Sequence, residues 1–119
     1  MKKLETIEQA CRALAELHPE KFRYREHGDG FNSPFAGLRI SGICGEIVIS
    51  GMCACDFDTI LALEGLEIEI YKRGNHKYGY GVMKLNGNSY WGVSVILLET
   101  KKLASEAAFF AAVELLVKE

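Results

Sequence analysis

The stretch Lys77–Glu99 constrains the fold of this chain more than any other, because it has the pattern of a tight β-hairpin. Two runs of strand-forming residues flank Asn86-Gly87, and both of these residue types tolerate the positive φ that a two-residue turn requires. A loop of Asn86-Gly87 alone would place bulky apolar residues on one face of the hairpin. The pairs on that face are Tyr78 with Val95, Tyr80 with Val93 and Val82 with Trp91.

The opposite face of the same hairpin is nearly bare of side chains. Its pairs are Gly79 with Ser94 and Gly81 with Gly92. A bare strip weakens a sheet unless another backbone or a ligand approaches closely. An alanine-rich helix follows the hairpin, and we expect its small side chains to lie against this strip. A three-residue loop, Asn86–Asn88, is the alternative, because it would place Gly81 opposite Val93 and remove the strip.

Capping signals and hydrophobic periodicity predict the other elements. Thr6 and Gln9 form a capping box before an amphipathic helix that ends at His18-Pro19. Further predicted elements are strands at Lys21–Glu26, Leu38–Ser41, Glu46–Ser50 and 66–71, a helix Phe57–Glu64 capped by Asp56 and followed by Gly65, and a helix from Thr100 or Ser105 to Val117. Short connections make neighbouring strands antiparallel. We therefore predict a single α+β domain over residues 1–119, in which a mostly antiparallel sheet of about five to six strands is flanked by N-terminal, short middle and C-terminal helices.

The C-terminal helix is apolar around almost its whole circumference, which is typical of a helix covered on more than one side. Phe109 and Phe110 lie about 100° apart on the helical wheel, so both cannot point into one sheet. We expect one of them to contact the N-terminal helix or another subunit. Tyr78 and Tyr80 either cluster with Trp91 on the sheet or anchor a partner. The predicted interface residues are Tyr78, Tyr80, Phe109, Phe110 and Val113.

The charge distribution offers a candidate binding surface but argues against nucleic acid. The net charge is −2, so there is no basic field to hold a phosphate backbone. Arginines Arg23, Arg25 and Arg39, together with Lys21, lie in the first half, whereas acidic residues cluster around the middle strand. The acidic residues are Glu64, Glu67 and Glu69. As cross-strand partners the two groups would neutralise each other. If they lie apart, the three arginines would bind an anionic ligand or an acidic protein.

Four cysteines are present, Cys11, Cys44, Cys53 and Cys55, and we expect free thiols in a reducing compartment. Cys44, Cys53, Cys55 and His76 form the one metal-like set, but the Cys-x-Cys step is tighter than the usual spacing at structural zinc sites. We expect Cys53 and Cys55 to share a buried strand face instead. His27, Asp29 and His76 are polar loop residues whose spacing shows no catalytic geometry. Neither a nucleophile elbow nor a phosphate-binding loop occurs.

These patterns favour a small, non-enzymatic protein-interaction module without a cofactor, of the adaptor, chaperone-like or inhibitor type, that forms a homodimer. The order of a helix, strands and a closing helix is similar to that of small secretion chaperones and small phage accessory proteins. The N-terminus has no apolar targeting segment and no run approaches a membrane span, so we expect a cytoplasmic protein that does not enter a membrane. The alternatives are a protein that binds a small anion or nucleotide, and a small zinc-binding protein.

Overall fold

The computed structural model describes residues 4–26, 36–43, 45–74, 77–84, 90–93 and 98–118. The chain divides into two compact units, Met1–Met52 (the N-terminal unit) and Cys53–Glu119 (the C-terminal unit). Each unit contains one three-stranded sheet in which neighbouring strands are antiparallel. The α+β class with antiparallel strands is confirmed, but the described strands form two sheets where one was predicted. The single-domain organisation stays a prediction.

The N-terminal unit packs one helix beside its sheet. Its elements are α1 (Ile7–Leu17), β1 (Phe22–Arg25), β2 (Gly37–Ile40) and β3 (Glu46–Val48), followed by a 3-10 turn at Ile49–Gly51. The predicted capping box is confirmed, since the Gln9 N–H donates to Thr6 Oγ1 at 3.2 Å and the Thr6 N–H donates to Gln9 Oε1 at 3.2 Å. The buried side chains of this unit come from one stripe of α1 and from the inner face of the sheet; they include Cys11, Leu14, Phe22, Leu38 and Ile40.

The C-terminal unit contains α2 (Ala54–Leu63), β4 (Leu66–Arg73), β5 (Lys77–Lys84), β6 (Tyr90–Val93) and α3 (Lys101–Lys118). Helix α2 begins earlier than predicted, with Cys53 as its N-cap; the Asp56 carboxylate accepts the Cys53 N–H at 3.0 Å from inside the first turn. Gly65 follows the helix with φ +73°, as its place after the last turn predicts. Thr100 caps α3, because its Oγ1 accepts the Leu103 N–H at 3.0 Å.

Next to the turn the hairpin has the register expected for a two-residue loop, since Met83 pairs with Tyr90. A register shift between Val82 and Met83 then places Gly81 opposite Val93 and Val82 opposite Gly92, which are the pairs expected for the three-residue alternative. Tyr78 forms a bridge with Leu98 instead of Val95. The predicted pairs of Tyr78 with Val95 and of Tyr80 with Val93 are therefore wrong. The loop residues Asn86 and Gly87 and the side chain of Trp91 lie outside the described part of the chain.

A tyrosine of the neighbouring strand covers the glycine face of β5. Tyr71 lies opposite Gly79, and its Cε2 would be 2.6 Å from a Cβ built on that glycine. The ring therefore lies directly on the glycine backbone, and its hydroxyl donates to the Tyr80 carbonyl at 3.4 Å. Helix α3 contacts β4 and β5 on the other face, where Val82 is fully buried. At Gly79 the expected contact with the alanines of α3 is therefore wrong, because the Tyr71 ring occupies that space.

The core of the C-terminal unit is organised around two stacked phenylalanines. The rings of Phe57 in α2 and Phe109 in α3 lie 4.6 Å apart between centroids, with 17° between their planes. Both side chains are almost inaccessible to solvent. The small residues Ala104, Ala108 and Ala112 of α3 are also fully buried, which is the close approach that alanine allows. Phe109 therefore packs against α2. The expected contact of one of the two phenylalanines with the N-terminal helix or another subunit stays a prediction for Phe110.

We predict that Phe109→Ala lowers the free energy of unfolding by about 3–5 kcal/mol, because it leaves a cavity beside Phe57. Urea denaturation followed by circular dichroism measures the change. The matched control is Leu103→Ala on the same helix, whose side chain is 48% exposed and should cost no more than about 0.5 kcal/mol. Equal costs for the two substitutions would show that Phe109 is not part of the core.

Candidate functional site

One face of the N-terminal sheet carries all three of the predicted ligand-binding arginines. Arg23 lies opposite Arg39, Arg25 opposite Gly37, and Arg39 also opposite Glu46 on the other neighbouring strand. Directly opposed residues share a face of the sheet, so these arginines and Glu46 form one surface, which we call the arginine face. The alternate residues Phe22, Leu38 and Ile40 point to the other side and are buried.

Arg25 is held by an ion pair that crosses the central strand. Its Nε lies 2.9 Å from Glu46 Oε1 and 3.0 Å from Oε2, and its Nη2 lies 2.6 Å from Oε1. Arg25 belongs to β1 and Glu46 to β3, so the pair spans β2. The two side chains are only 20% and 25% exposed, which limits screening by water. Arg25 was predicted to bind a ligand, and the structure instead gives its guanidinium an internal carboxylate.

Gly37 makes this bridge geometrically possible. A Cβ built at Gly37 would lie 2.5 Å from Cδ and 2.7 Å from Cγ of Glu46. The glutamate side chain therefore passes directly over the backbone of β2, where any side chain larger than hydrogen would displace it. The predicted strand began only at Leu38, so the sequence pattern left Gly37 outside it and did not identify this role. One signal in the sequence could have identified this role. Gly37 lies two residues before Arg39, on the same face of β2, and β2 lies between the arginine-rich β1 and the strand that carries Glu46.

The bridge also fixes the charge of Glu46. Hydrogen bonds from Arg25 lower the pKa of the Glu46 carboxyl from its ordinary value of 4.5, burial opposes this, and the positive charges of Arg25 and Arg39 lower the pKa further. Glu46 is therefore ionised at neutral pH and offsets one positive charge of the arginine face.

Arg23 and Arg39 are exposed and lie directly opposite each other. Among the described acidic side chains, none forms an ion pair with either residue, although the charge of Glu46 acts on Arg39 from the next strand. Glu67 and Glu69 lie opposite Met83 and Gly81 in the other sheet, so of the two alternatives that the sequence left open, the one in which they are cross-strand partners of the arginines does not hold. Like charges directly opposite each other destabilise a sheet.

Two shallow depressions adjoin β1 where the arginine face meets the edge of the sheet. The larger has a volume of about 410 Å³ and lies between α1 and β1; the smaller has a volume of about 150 Å³ and extends towards Arg39. Both include Pro19, Phe22 and Arg23 in their walls. The other walls of the larger are Arg12, Ala15, Glu16 and Tyr24, and those of the smaller are Glu20, Lys21, Arg39 and Ser41. The surface around β1 thus combines positive charge with apolar contact area.

The predicted interface residues lie in the C-terminal unit at different depths. Phe109 and Val113 are fully buried and offer no surface to a second subunit. Tyr78, Tyr80 and Phe110 are half-buried, so the interface prediction now rests on them. Burial raises the pKa of the Tyr80 hydroxyl, and the nearby Glu114 carboxylate and Tyr71 raise it further.

The thiols do not form the buried strand pair that was expected. Cys53 and Cys55 are exposed at the beginning of α2, whereas Cys11 is buried in the N-terminal unit. Burial raises the pKa of the Cys11 thiol to about 12, with the Glu8 carboxylate adding to the effect, so this thiol stays protonated and unreactive. No three metal-ligating side chains within the described ranges come together. Cys44, His76, His27 and Asp29 lie outside those ranges.

Comparison with protein-family models, curated proteins and solved structures found no match for this chain. Among the described helices, none has both the length and the apolar character needed to cross a membrane.

We predict that Glu46→Gln removes a pH-dependent part of the stability. A carboxylate with a lowered folded-state pKa stabilises the fold fully above its unfolded-state pKa, near 4.5, and loses that contribution as the pH falls through the lowered value. The difference in unfolding free energy between wild type and Glu46→Gln should therefore be largest near neutral pH and shrink below pH 4.5.

Urea titrations across this pH range measure the difference. The control is Glu67→Gln, which removes an exposed carboxylate opposite Met83 in the other sheet and should change the unfolding free energy at neutral pH by no more than about 0.5 kcal/mol. If the difference in unfolding free energy between the wild type and Glu46→Gln stayed constant down to the lowest pH tested, the Arg25–Glu46 pair would not form.

Proposed function

We propose that this protein is a small, non-enzymatic protein-interaction module that binds an acidic partner on its arginine face. The observation that carries the proposal is the exposed, directly opposed pair of Arg23 and Arg39. A partner carboxylate between the two guanidinium groups relieves their repulsion and gains hydrogen bonds that a charged donor strengthens. Arginine suits this role because its planar group binds a carboxylate in a two-point geometry.

The shape of the surface favours a protein partner over an enclosed small molecule. Sites for small ligands are usually clefts that bury most of the ligand. The depressions beside β1 are instead shallow and adjoin each other along the strand. An extended chain that lies along β1 contacts both, which a compact ligand does not.

The homodimer and the cytoplasmic location remain parts of the same proposal. Exposed apolar side chains of the C-terminal unit support self-association, since Leu63 is 44% and Leu103 48% exposed on helices that pack against each other. The free thiol of Cys11 and the exposed Cys53 and Cys55 fit a reducing compartment.

A small anion is the second candidate ligand, because Lys21, Arg23, Arg39 and Ser41 line the smaller depression. Inorganic phosphate or a nucleotide would then raise the melting temperature by mass action, whereas an acidic-partner module responds little to either. The zinc alternative is decided by the metal content of the purified protein, since Cys44 and His76 lie outside the described residues.

We predict that a glutamate-rich peptide binds the wild-type protein and that Arg23→Gln/Arg39→Gln weakens this binding by roughly tenfold or more, because two charge-assisted hydrogen-bonding groups are lost. Fluorescence anisotropy at low ionic strength measures the affinity. The matched control is Lys101→Gln/Lys102→Gln, which removes the same charge from an exposed part of α3.

Glu46→Gln gives an independent result in the opposite direction. It removes the carboxylate that holds Arg25, so the peptide should bind more tightly than to the wild type. If the double arginine variant and the lysine control lost the same amount of peptide affinity, binding would depend only on net charge. The assignment to the arginine face would then be overturned.

A further inference from the structure

Strand β1 is an edge strand of the N-terminal sheet, in the order β1-β2-β3. The Ser41 N–H donates to the Lys21 carbonyl at 2.8 Å, so Lys21 and Ser41 form a hydrogen-bonded pair at the start of the β1–β2 ladder. Hydrogen-bonded and non-bonded pairs alternate in an antiparallel ladder, so Arg23 and Arg25 direct their backbone groups towards β2. Phe22 and Tyr24 direct theirs to the other side, where the Phe22 N–H already donates to the His18 carbonyl at 3.0 Å and where no described strand lies.

The two faces of this edge differ in chemistry. On the arginine face, an added strand would lie beside Arg23, whose neighbour across the ladder is Arg39. On the α1 face it would meet Ala15, Phe22 and Tyr24, in the depression of about 410 Å³. The Tyr24 ring is fixed on that side by Arg12 of α1, whose guanidinium carbon lies 4.8 Å from the ring centroid.

We propose that β1 binds an extended segment of the partner protein as an additional antiparallel strand, in which acidic and apolar residues alternate. This inference rests on the proposed function and specifies how the acidic partner is recognised. Side chains alternate between the two faces of a strand, so the acidic residues lie on the arginine face and the apolar residues face α1. Backbone hydrogen bonds supply affinity and the side-chain pattern supplies specificity, as in other cases of strand addition.

Among the described acidic groups near β1, Glu26 and Glu20 have contacts within the same unit, although Glu20 also lines the smaller depression beside Arg23 and Arg39; Glu16 lies on the helix side. Glu26 pairs with Arg12 at 3.4 Å, and Glu20 lies 3.3 Å from the His18 imidazole. Glu16 belongs to α1, where the proposed strand presents apolar residues. The acidic side chains of the partner therefore meet Arg23 and Arg39.

A second β1 is a poor occupant of the same edge. Pairing two copies of β1 would bring Arg23 and Arg25 of one chain beside the same arginines of the other, and like charges across a strand pair are unfavourable. Charged residues on an edge strand commonly prevent this kind of self-pairing. An acidic strand reverses the sign of that interaction.

The test uses the full-length protein and a peptide of about six residues with alternating glutamate and valine, close to the usual length of a strand. In the proposed antiparallel register, valines lie opposite Phe22 and Tyr24, and their N–H groups donate to the carbonyls of those residues. N-methylation of the valines blocks these bonds, whereas N-methylation of the glutamates is the matched control. We expect the valine-methylated peptide to bind roughly 30-fold more weakly and the control peptide to bind like the unmodified one.

Amide hydrogen exchange measured by NMR gives a second readout on the protein itself. The Tyr24 amide should exchange more slowly when the unmodified peptide is added, whereas the Arg23 amide, which already bonds to β2, should change little. Protection of Tyr24 without peptide, in a protein that sediments as a dimer, would mean that a second copy closes the edge and would overturn the proposal.

The outcomes separate failure of the inference from failure of the proposed function. If both methylated peptides bind as tightly as the unmodified one, strand addition is wrong while recognition by charge stands. If the unmodified peptide does not bind at all, the acidic-partner function itself is wrong.

Discussion

The ion pair between Arg25 and Glu46 determines which charges of the N-terminal sheet are left for a partner. It crosses the central strand over Gly37, where a side chain would displace the carboxylate. Because Glu46 is committed to Arg25, its direct contacts do not extend to Arg23 and Arg39, which lie opposite each other and exposed. A glycine in one strand thus controls the electrostatics of a surface built from three strands.

The two units have different physical characters. In the C-terminal unit, the stacked Phe57 and Phe109 and the buried alanines of α3 form a close-packed core that buries one side of the apolar helix. In the N-terminal unit, a short sheet presents a charged face and an edge strand beside two shallow depressions. The features that support the proposed binding therefore lie in the N-terminal unit, and two residues first assigned to an interface, Phe109 and Val113, belong to the core.

Local signals in the sequence predicted local structure well. The Thr6–Gln9 capping box, the glycine after α2 and the Thr100 cap each depend on residues within a turn of one another, and all are confirmed. The hairpin pairs beyond Met83 were wrong because a register shift between Val82 and Met83 displaces them, and residue types do not specify such a shift. The bridge over Gly37 was missed because it joins β1 to β3 across β2, a contact that spacing along the chain does not reveal.

A double-mutant cycle between Arg23 and Arg39 tests the central claim most directly, since two opposed arginines whose neighbouring carboxylate is bound to Arg25 should repel. The unfolding free energies of the wild type, Arg23→Gln, Arg39→Gln and the double variant give the coupling between the two side chains at low ionic strength. A repulsive coupling of about 0.2–1 kcal/mol that declines as salt is added is the predicted result. No coupling, or an attractive one, would contradict it, because the arginine face would then already be neutralised within the protein.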